Sequence, residues 1–229
     1  MQYVVNQQRS FAIAYDASLV DDPAVELFSP ELWEFRNALD GEAVGRGSTW
    51  FVNAPFGPAV LREYLRGGWV AKISRRSYFF TTVARSRPFR EFDILATLFA
   101  QGLPVPQPVA ALCEHNGLMS TGSIITMRIA NTRTLADILP GDPEQGDDLW
   151  ENIGRCIRQF HRSGAWHADL NARNILLNDE LKVFLIDFDR ARLMAGSEVN
   201  GKRNLDRLKR SLEKLWPANQ QTLLQPAWN

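Results

Sequence analysis

The fold is decided by the stretch His167-Ala168-Asp169-Leu170-Asn171-Ala172-Arg173-Asn174, which has the form H-x-D-x-x-x-x-N. Thirteen residues after Asn174, an apolar run ends in the tripeptide Asp187-Phe188-Asp189. Between the two clusters, Asn174–Leu177 and Val183–Ile186 form two strand-like runs around a polar turn, which predicts a short β-hairpin. An isolated H-x-D is usually a loop histidine beside a solvated aspartate. The two clusters in this order, on either side of a hairpin, are far more specific.

The two clusters together resemble the catalytic loop and the metal-binding D-F-G element of the protein-kinase-like superfamily. Phosphoryl transfer requires a carboxylate beside the attacking hydroxyl and oxygen ligands for Mg²⁺. The resemblance implies that Asp169 orients the hydroxyl and accepts its proton, while His167 orients the loop. It also implies that Asn174 and Asp187 are the metal ligands, with ATP and Mg²⁺ as cofactors.

A glycine-containing turn upstream is the candidate ATP-covering loop. Gly45, Gly47 and Ser48 precede a strand-like run at Thr49–Asn53, and glycines at such a turn let backbone N–H groups approach phosphate oxygens. Trp50 stands where a third glycine is expected, so this signal by itself is weak.

The next strand-like run supplies a candidate phosphate ligand. Ala59-Val60-Leu61-Arg62 aligns with V-A-I-K, so that Arg62 takes the position of the lysine. Glu91 in the following helix is the candidate partner of Arg62, although a solvated helix acid beside Arg90 is an equally good interpretation of the spacing. Arginine presents a planar fork to phosphate, whereas lysine presents a point charge.

The order of predicted elements indicates an α+β chain with a bilobal, protein-kinase-like fold. Strands dominate the first part and helices the second, which predicts a strand-rich N-terminal lobe at 1–128 and a short helical C-terminal lobe at 129–229. The predicted helices are 31–39, 87–101, 134–139, 149–163 and 204–216, and the remaining predicted strands are 110–114 and 123–129. Only 40 residues follow Asp189 and none forms an A-P-E motif, so we expect no activation-loop regulation.

The charge of the chain is zero overall but unevenly distributed. The 229 residues include 26 basic and 26 acidic side chains, whereas residues 60–90 hold eight basic residues and the single acid Glu63. Part of this block, 66–80, mixes basic and aromatic side chains, among which the candidate acceptor- and membrane-binding residues are Arg75, Arg76, Lys72 and Trp69. Basic and aromatic residues suit an anionic headgroup region. We place residues 66–87 as a basic insertion in the predicted N-terminal lobe. For 66–80, a solvated loop whose aromatic rings pack into that lobe is an equally good alternative.

Composition and targeting signals limit the remaining classes of function. A balanced charge argues against an obligate nucleic-acid partner, and the N-terminal residues lack the pattern of a signal peptide. No apolar stretch is long enough to span a membrane. Cys113 and Cys156 lie in unrelated segments, and we expect both to be reduced. We therefore expect a cytoplasmic or membrane-peripheral protein.

Longer segments resemble the 3-deoxy-D-manno-octulosonic acid (Kdo) kinases over nearly the whole chain. These segments are GRGSTWFV, VLREYLRGG, RSRPFREFDIL, HADLNARNILL, FLIDFDR and NLDRLKRSLEKL. The resemblance implies an ATP-dependent enzyme of lipopolysaccharide inner-core synthesis, which phosphorylates O4 of a Kdo sugar on a Kdo-lipid A precursor. It also implies a peripheral position on the cytoplasmic face of the inner membrane.

Other functions share the same motifs. A heptose kinase or an antibiotic phosphotransferase is the nearest alternative, followed by an atypical protein kinase. A kinase-shaped binding protein without activity is the last, and only the replacement of lysine by Arg62 favours it. The oligomeric state is open.

Overall fold

The computed structural model describes residues 1–42, 48–64, 78–79, 82–116, 119–139, 147–194 and 201–215. The chain folds into two compact units, of which unit 1 comprises 1–97 and 107–128, and unit 2 comprises 98–106 and 129–229. The sequence pattern assigns residues 98–106 to the N-terminal lobe, but they fold with unit 2.

The described part of unit 1 is built on one antiparallel sheet of eight strands. The strands are β1 Tyr3–Gln7, β2 Phe11–Asp16, β3 Leu39–Glu42, β4 Thr49–Ala54, β5 Gly57–Glu63, β6 Tyr78–Phe79, β7 Pro108–Asn116 and β8 Met119–Met127. Their order across the sheet is β1-β2-β7-β8-β5-β4-β3, and β6 pairs with β8. The predicted strands at 49–53, 110–114 and 123–129 therefore correspond to β4, β7 and β8, whereas β1 and β2 form an N-terminal hairpin with no predicted counterpart.

One face of this sheet carries a hydrophobic core of unit 1. A short 3-10 helix at Val25–Phe28 and helix α1, Pro30–Phe35, place Phe28 and Trp33 in a buried cluster with Leu61 of β5. The indole N–H of Trp33 donates to the carbonyl oxygen of Leu27 at 2.9 Å, so this polar group is satisfied inside the core. Because side chains alternate along a strand, Arg62 points to the opposite face of β5.

Helix α1 is shorter than the predicted helix at 31–39. It ends at Phe35 because Asn37 adopts a left-handed conformation with φ of 51°. The amide of Asn37 then donates to Glu34 and that of Ala38 to Trp33, which is the hydrogen-bond pattern of a Schellman cap. Because the helix ends there, the chain from Leu39 onward forms strand β3.

Helix α2, Arg87–Ala100, agrees with the predicted helix at 87–101. The same cap ends it, since Gly102 has a φ of 75° and its amide donates to Phe99 while the amide of Leu103 donates to Leu98. Glycine adopts this conformation without steric cost, so the helix ends close to the end of the predicted range.

Unit 2 contains three helices and two small antiparallel sheets in its described part. The helices are α3 Leu135–Ile138, α4 Asp147–Arg162 and α5 Gly201–Leu215. The strands are β9 Thr132–Thr134, β10 Ala165–Trp166, β11 Ile175–Asn178, β12 Val183–Leu185 and β13 Arg192–Leu193. One sheet has the order β12-β11-β9, and the other pairs β10 with β13. The predicted hairpin is therefore present as β11–β12, and the α+β prediction is confirmed.

Phe188 belongs to the buried core of unit 2. This ring is fully buried and stacks on Phe160 of α4, with 5.7 Å between ring centroids. Cys156, one turn earlier on α4, is also buried and reduced, and burial raises the pKa of its thiol to about 12. Such a thiol is chemically inert. Within the described residues, every helix is too short or too polar to cross a bilayer.

Candidate active site

The H-x-D-x-x-x-x-N stretch forms a loop between β10 and β11 whose apex is held by two asparagines. Asn171 and Asn174 each donate a side-chain N–H to the carbonyl oxygen of Asp169 at 2.9 Å. Asn171 also accepts from the amide of Arg173 at 2.9 Å, which caps the 3-10 turn at Ala172–Asn174. The backbone of Asp169 is thus fixed while its carboxylate is about half exposed.

His167 links this loop to the Asp187-Phe188-Asp189 element. Its Nδ1 accepts the amide N–H of Asp169 at 3.2 Å, and its Nε2 lies 2.9 Å from the carbonyl oxygen of Ile186. An accepting Nδ1 leaves the proton on Nε2, so the ring is a neutral donor to Ile186. The ring also meets Phe188 edge to face at 4.7 Å. Burial lowers the pKa of His167, which favours this neutral form.

Asn174 and Asp187 are brought together by the β11–β12 hairpin. Ile175 pairs with Leu185, and the amide of Ile186 donates to the carbonyl oxygen of Asn174 at 3.1 Å, so Asp187 directly follows the residue opposite Asn174. Asp187 has a φ of 65°, a conformation that costs a non-glycine residue about 1–3 kcal/mol and is concentrated at functional sites.

The donor set at this end of the hairpin fits Mg²⁺. Asn174 uses its Nδ2 to hold the loop, so its side-chain carbonyl oxygen is the atom left for a ligand role. Asp187 adds a carboxylate, and carboxylate and amide oxygens are the protein groups that Mg²⁺ prefers. Asn174 and Asp187 are therefore the residues that would hold the ion.

Three residues of helix α5 contact the same loop, and the sequence did not predict these contacts. Asn204, which is buried, donates from Nδ2 to the carbonyl oxygen of His167 at 2.5 Å and accepts the His167 amide at 3.4 Å. Arg207 forms an ion pair with the carboxylate of Asp169, and Ser211 accepts the amide of Ala172 at 3.1 Å.

These α5 residues lie three or four positions apart on one helix face, which is the spacing that places side chains side by side. Leu208 and Leu212 on the same helix are buried beside them. The sequence signal was Asn204 at one end of the helix face that carries Leu208 and Leu212, and it points to a polar partner without naming that partner.

In unit 1, Arg62 and Glu91 form the ion pair that the sequence suggested. Glu91 is almost completely buried, and its Oε2 also accepts the hydroxyl of Tyr64 at 2.5 Å. The guanidinium groups of Arg62 and Arg87 lie 5.0 and 5.1 Å from the centroid of the Tyr64 ring, within the range of cation–π attraction. A buried carboxylate held in this way fixes the position of Arg62.

The other predicted nucleotide and acceptor residues divide into two groups. Ser48 is buried, and its hydroxyl donates to the carbonyl oxygen of Glu63 at 3.2 Å, next to the strand that carries Arg62. The residues that lie outside the described part of the chain are Gly45, Gly47, Trp69, Lys72, Arg75 and Arg76.

Comparison with known proteins supplies the family. Residues 30–226 match the lipopolysaccharide kinase (Kdo/WaaP) family. The chain belongs to this family. The resemblance noted in the sequence is thereby confirmed, and the kinase-like fold expected of its members agrees with the catalytic-loop and D-F-D geometry in unit 2.

Several curated relatives share the family and most of their length with this chain. A 3-deoxy-D-manno-octulosonic acid kinase of Stenotrophomonas maltophilia (strain R551-3) is 44% identical over 206 residues, which are 89% of this chain and 81% of the relative. A 3-deoxy-D-manno-octulosonic acid kinase of Vibrio vulnificus (strain YJ016) is 40% identical over 202 residues, covering 88% of this chain and 85% of the relative. The family match spans residues of both units.

Proposed function

We propose that this protein is an ATP- and Mg²⁺-dependent Kdo kinase that phosphorylates O4 of a Kdo sugar on a Kdo-lipid A precursor in lipopolysaccharide inner-core synthesis. The observation that carries the proposal is the meeting of Asp169, Asn174 and Asp187 around one loop and hairpin of unit 2. Kdo as the acceptor is supported by relatives of 40–44% identity that bear this name.

In the proposed reaction, the oxygen of the Kdo hydroxyl forms a bond to the γ-phosphorus of ATP, and Asp169 accepts the proton of that hydroxyl. The bond from that phosphorus to the β–γ bridging oxygen breaks, and ADP leaves. Asn174 and Asp187 would hold Mg²⁺, which when bound neutralises charge on the phosphates. Arg62, fixed by Glu91, is the proposed phosphate ligand in unit 1.

His167 has a supporting role in this proposal. It donates to Ile186 and accepts from Asp169, so it fixes the loop and the Asp187 element relative to each other within unit 2. Because burial lowers its pKa, His167 stays neutral at physiological pH and does not compete with Asp169 for the transferred proton.

The proposed site of action is the cytoplasmic face of the inner membrane, with the protein bound peripherally. The basic and aromatic residues at 66–80, among them Trp69, Lys72, Arg75 and Arg76, support this location by their composition. The test is vesicle binding of the double variant Arg75→Glu and Arg76→Glu at low and moderate salt. We expect weaker binding to anionic vesicles, and unchanged binding would remove this segment from the membrane role.

The catalytic proposal is tested with Asp169→Asn, which keeps the shape of the side chain but cannot accept the proton. Transfer from radiolabelled ATP is measured on a Kdo-lipid A precursor, a heptosylated core and a generic protein. We expect wild-type transfer to the Kdo acceptor only, with a phosphate at O4 located by phosphorus–proton correlation, and its loss in Asp169→Asn.

The matched control is Asp179→Asn, at an exposed position in the β11–β12 turn. It removes the same charge from the same unit, and we expect it to keep wild-type activity. Near-wild-type turnover in Asp169→Asn, or transfer to the heptosylated core alone, contradicts the proposal.

A further inference from the structure

The contact between Arg207 and Asp169 is unusual because it joins the proposed catalytic carboxylate to a helix far along the chain. Arg207 Nε donates to Asp169 Oδ1 at 2.8 Å, and Arg207 Nη2 donates to the same oxygen. Within the described ranges, no side chain or amide donates to Asp169 Oδ2. The guanidinium thus holds one carboxylate oxygen and leaves the other to accept a proton.

Fold stability does not explain this ion pair. The side chains of Arg207 and Asp169 are 48% and 44% exposed, and pairs this open to solvent contribute little to stability. Helix α5 has stronger anchors on either side, in the buried Asn204 and in Leu208 and Leu212.

Two residues on either side of Arg207 fix the position of α5 against the catalytic loop. Asn204 precedes Arg207 by one turn and bonds both backbone groups of His167, two residues before Asp169. Ser211 follows by one turn and accepts the amide of Ala172, three residues after Asp169. Helix and loop are therefore tied together on both sides of the ion pair, so the guanidinium restricts rotation of the Asp169 side chain.

We propose that Arg207 is a positioning residue for phosphoryl transfer, which holds Asp169 Oδ1 so that Oδ2 faces the acceptor hydroxyl. This inference rests on the proposed role of Asp169 as proton acceptor. A carboxylate that is free to rotate presents its oxygen in the reactive geometry for a smaller fraction of the time, and small misplacements of this kind cost about 10²-fold in rate.

The experiment compares Arg207→Ala with Arg207→Lys and with Arg210→Ala, which removes the same charge from an exposed position on the same helix. We expect Arg207→Ala to lower kcat by about 10²-fold while the KM for ATP is unchanged, because positioning affects the transfer step. Lysine should restore part of kcat. Guanidinium added to Arg207→Ala should restore kcat, whereas it should leave the kcat of Arg210→Ala unaffected. A merely structural role of Arg207 would not produce this rescue.

Unchanged kcat in Arg207→Ala overturns the inference, and so does an increase, which would mean that the ion pair blocks Asp169. Absence of wild-type transfer to the Kdo acceptor contradicts the proposed function instead. In that case, the role of Arg207 is decided from the rate of ATP hydrolysis by water, compared among Arg207→Ala, Arg207→Lys and Arg210→Ala. The Arg207 Nε–H resonance gives a reading without turnover: it should shift in Asp169→Asn, and an unshifted resonance also overturns the inference.

Discussion

Replacing Asn204 by alanine is the most direct test of how α5 supports the catalytic loop. Asn204 is 2% exposed and bonds the carbonyl oxygen of His167 at 2.5 Å and its amide at 3.4 Å. Its Oδ1 also lies 3.2 Å from His161 Nε2. Alanine removes all three contacts in one change and adds no new polar group.

The magnitude follows from the groups left behind. A buried polar group without its partner costs about 1–3 kcal/mol. The carbonyl oxygen of His167 loses its close partner, whereas the longer bond to its amide is weaker and its loss costs less. We therefore expect local stability of the loop to fall by about 2–4 kcal/mol, which corresponds to about 30- to 700-fold faster amide exchange.

Hydrogen exchange of peptides covering residues 165–172 measures this effect. Asp206→Ala is the matched control, since it changes an exposed neighbour on the same helix and should leave exchange unaltered. Kdo-dependent turnover should fall together with protection in Asn204→Ala. Unaltered loop protection, or a change confined to α5 itself, would refute the reasoning that the carboxamide holds His167.

Three further predictions concern other parts of the molecule. Tyr64→Phe removes one donor from the buried carboxylate of Glu91 and should destabilise unit 1 by about 1.5–3 kcal/mol in urea unfolding, while a wild-type urea midpoint would contradict it. Because burial lowers the pKa of His167, the unfolded state binds a proton that the folded state excludes. The free energy of unfolding should therefore fall as the pH drops below the ordinary histidine pKa of 6.5. A urea midpoint that stays constant below this pH would contradict the prediction. Gly164 has a φ of 80° and a Cβ there would overlap a backbone carbonyl oxygen, so Gly164→Ala should lower the melting temperature. In Gly154→Ala, inside α4, the new Cβ meets only a flexible side chain, so this variant should raise the melting temperature.

Local sequence signals predicted the end of α2 and missed the end of α1, although a single residue sets each end. Gly102 directly follows the predicted helix at 87–101 and ends α2, because glycine is the residue that best adopts its φ of 75°. The end of α1 was missed because Asn37 performs the same cap, and asparagine takes this conformation less often.

The N-terminal hairpin escaped prediction for a different reason. None of the five residues of β1 is buried, whereas five of the six residues of β2 are buried. Neither strand therefore shows the alternation of apolar and polar residues by which a half-buried strand is recognised. Their character depends on β7, which pairs with β2 and lies about a hundred residues along the chain.

The sequence by itself determined the family, the catalytic-loop pattern and the hairpin that brings Asn174 and Asp187 together, because these depend on residues that are neighbours along the chain. Only the tertiary structure decided that Glu91 is the partner of Arg62, and that Arg207 and Asn204 hold the loop at Asp169 and His167. These contacts join residues 29, 38 and 37 positions apart. Packing of helices against strands and loops, which local periodicity does not specify, selects such partners.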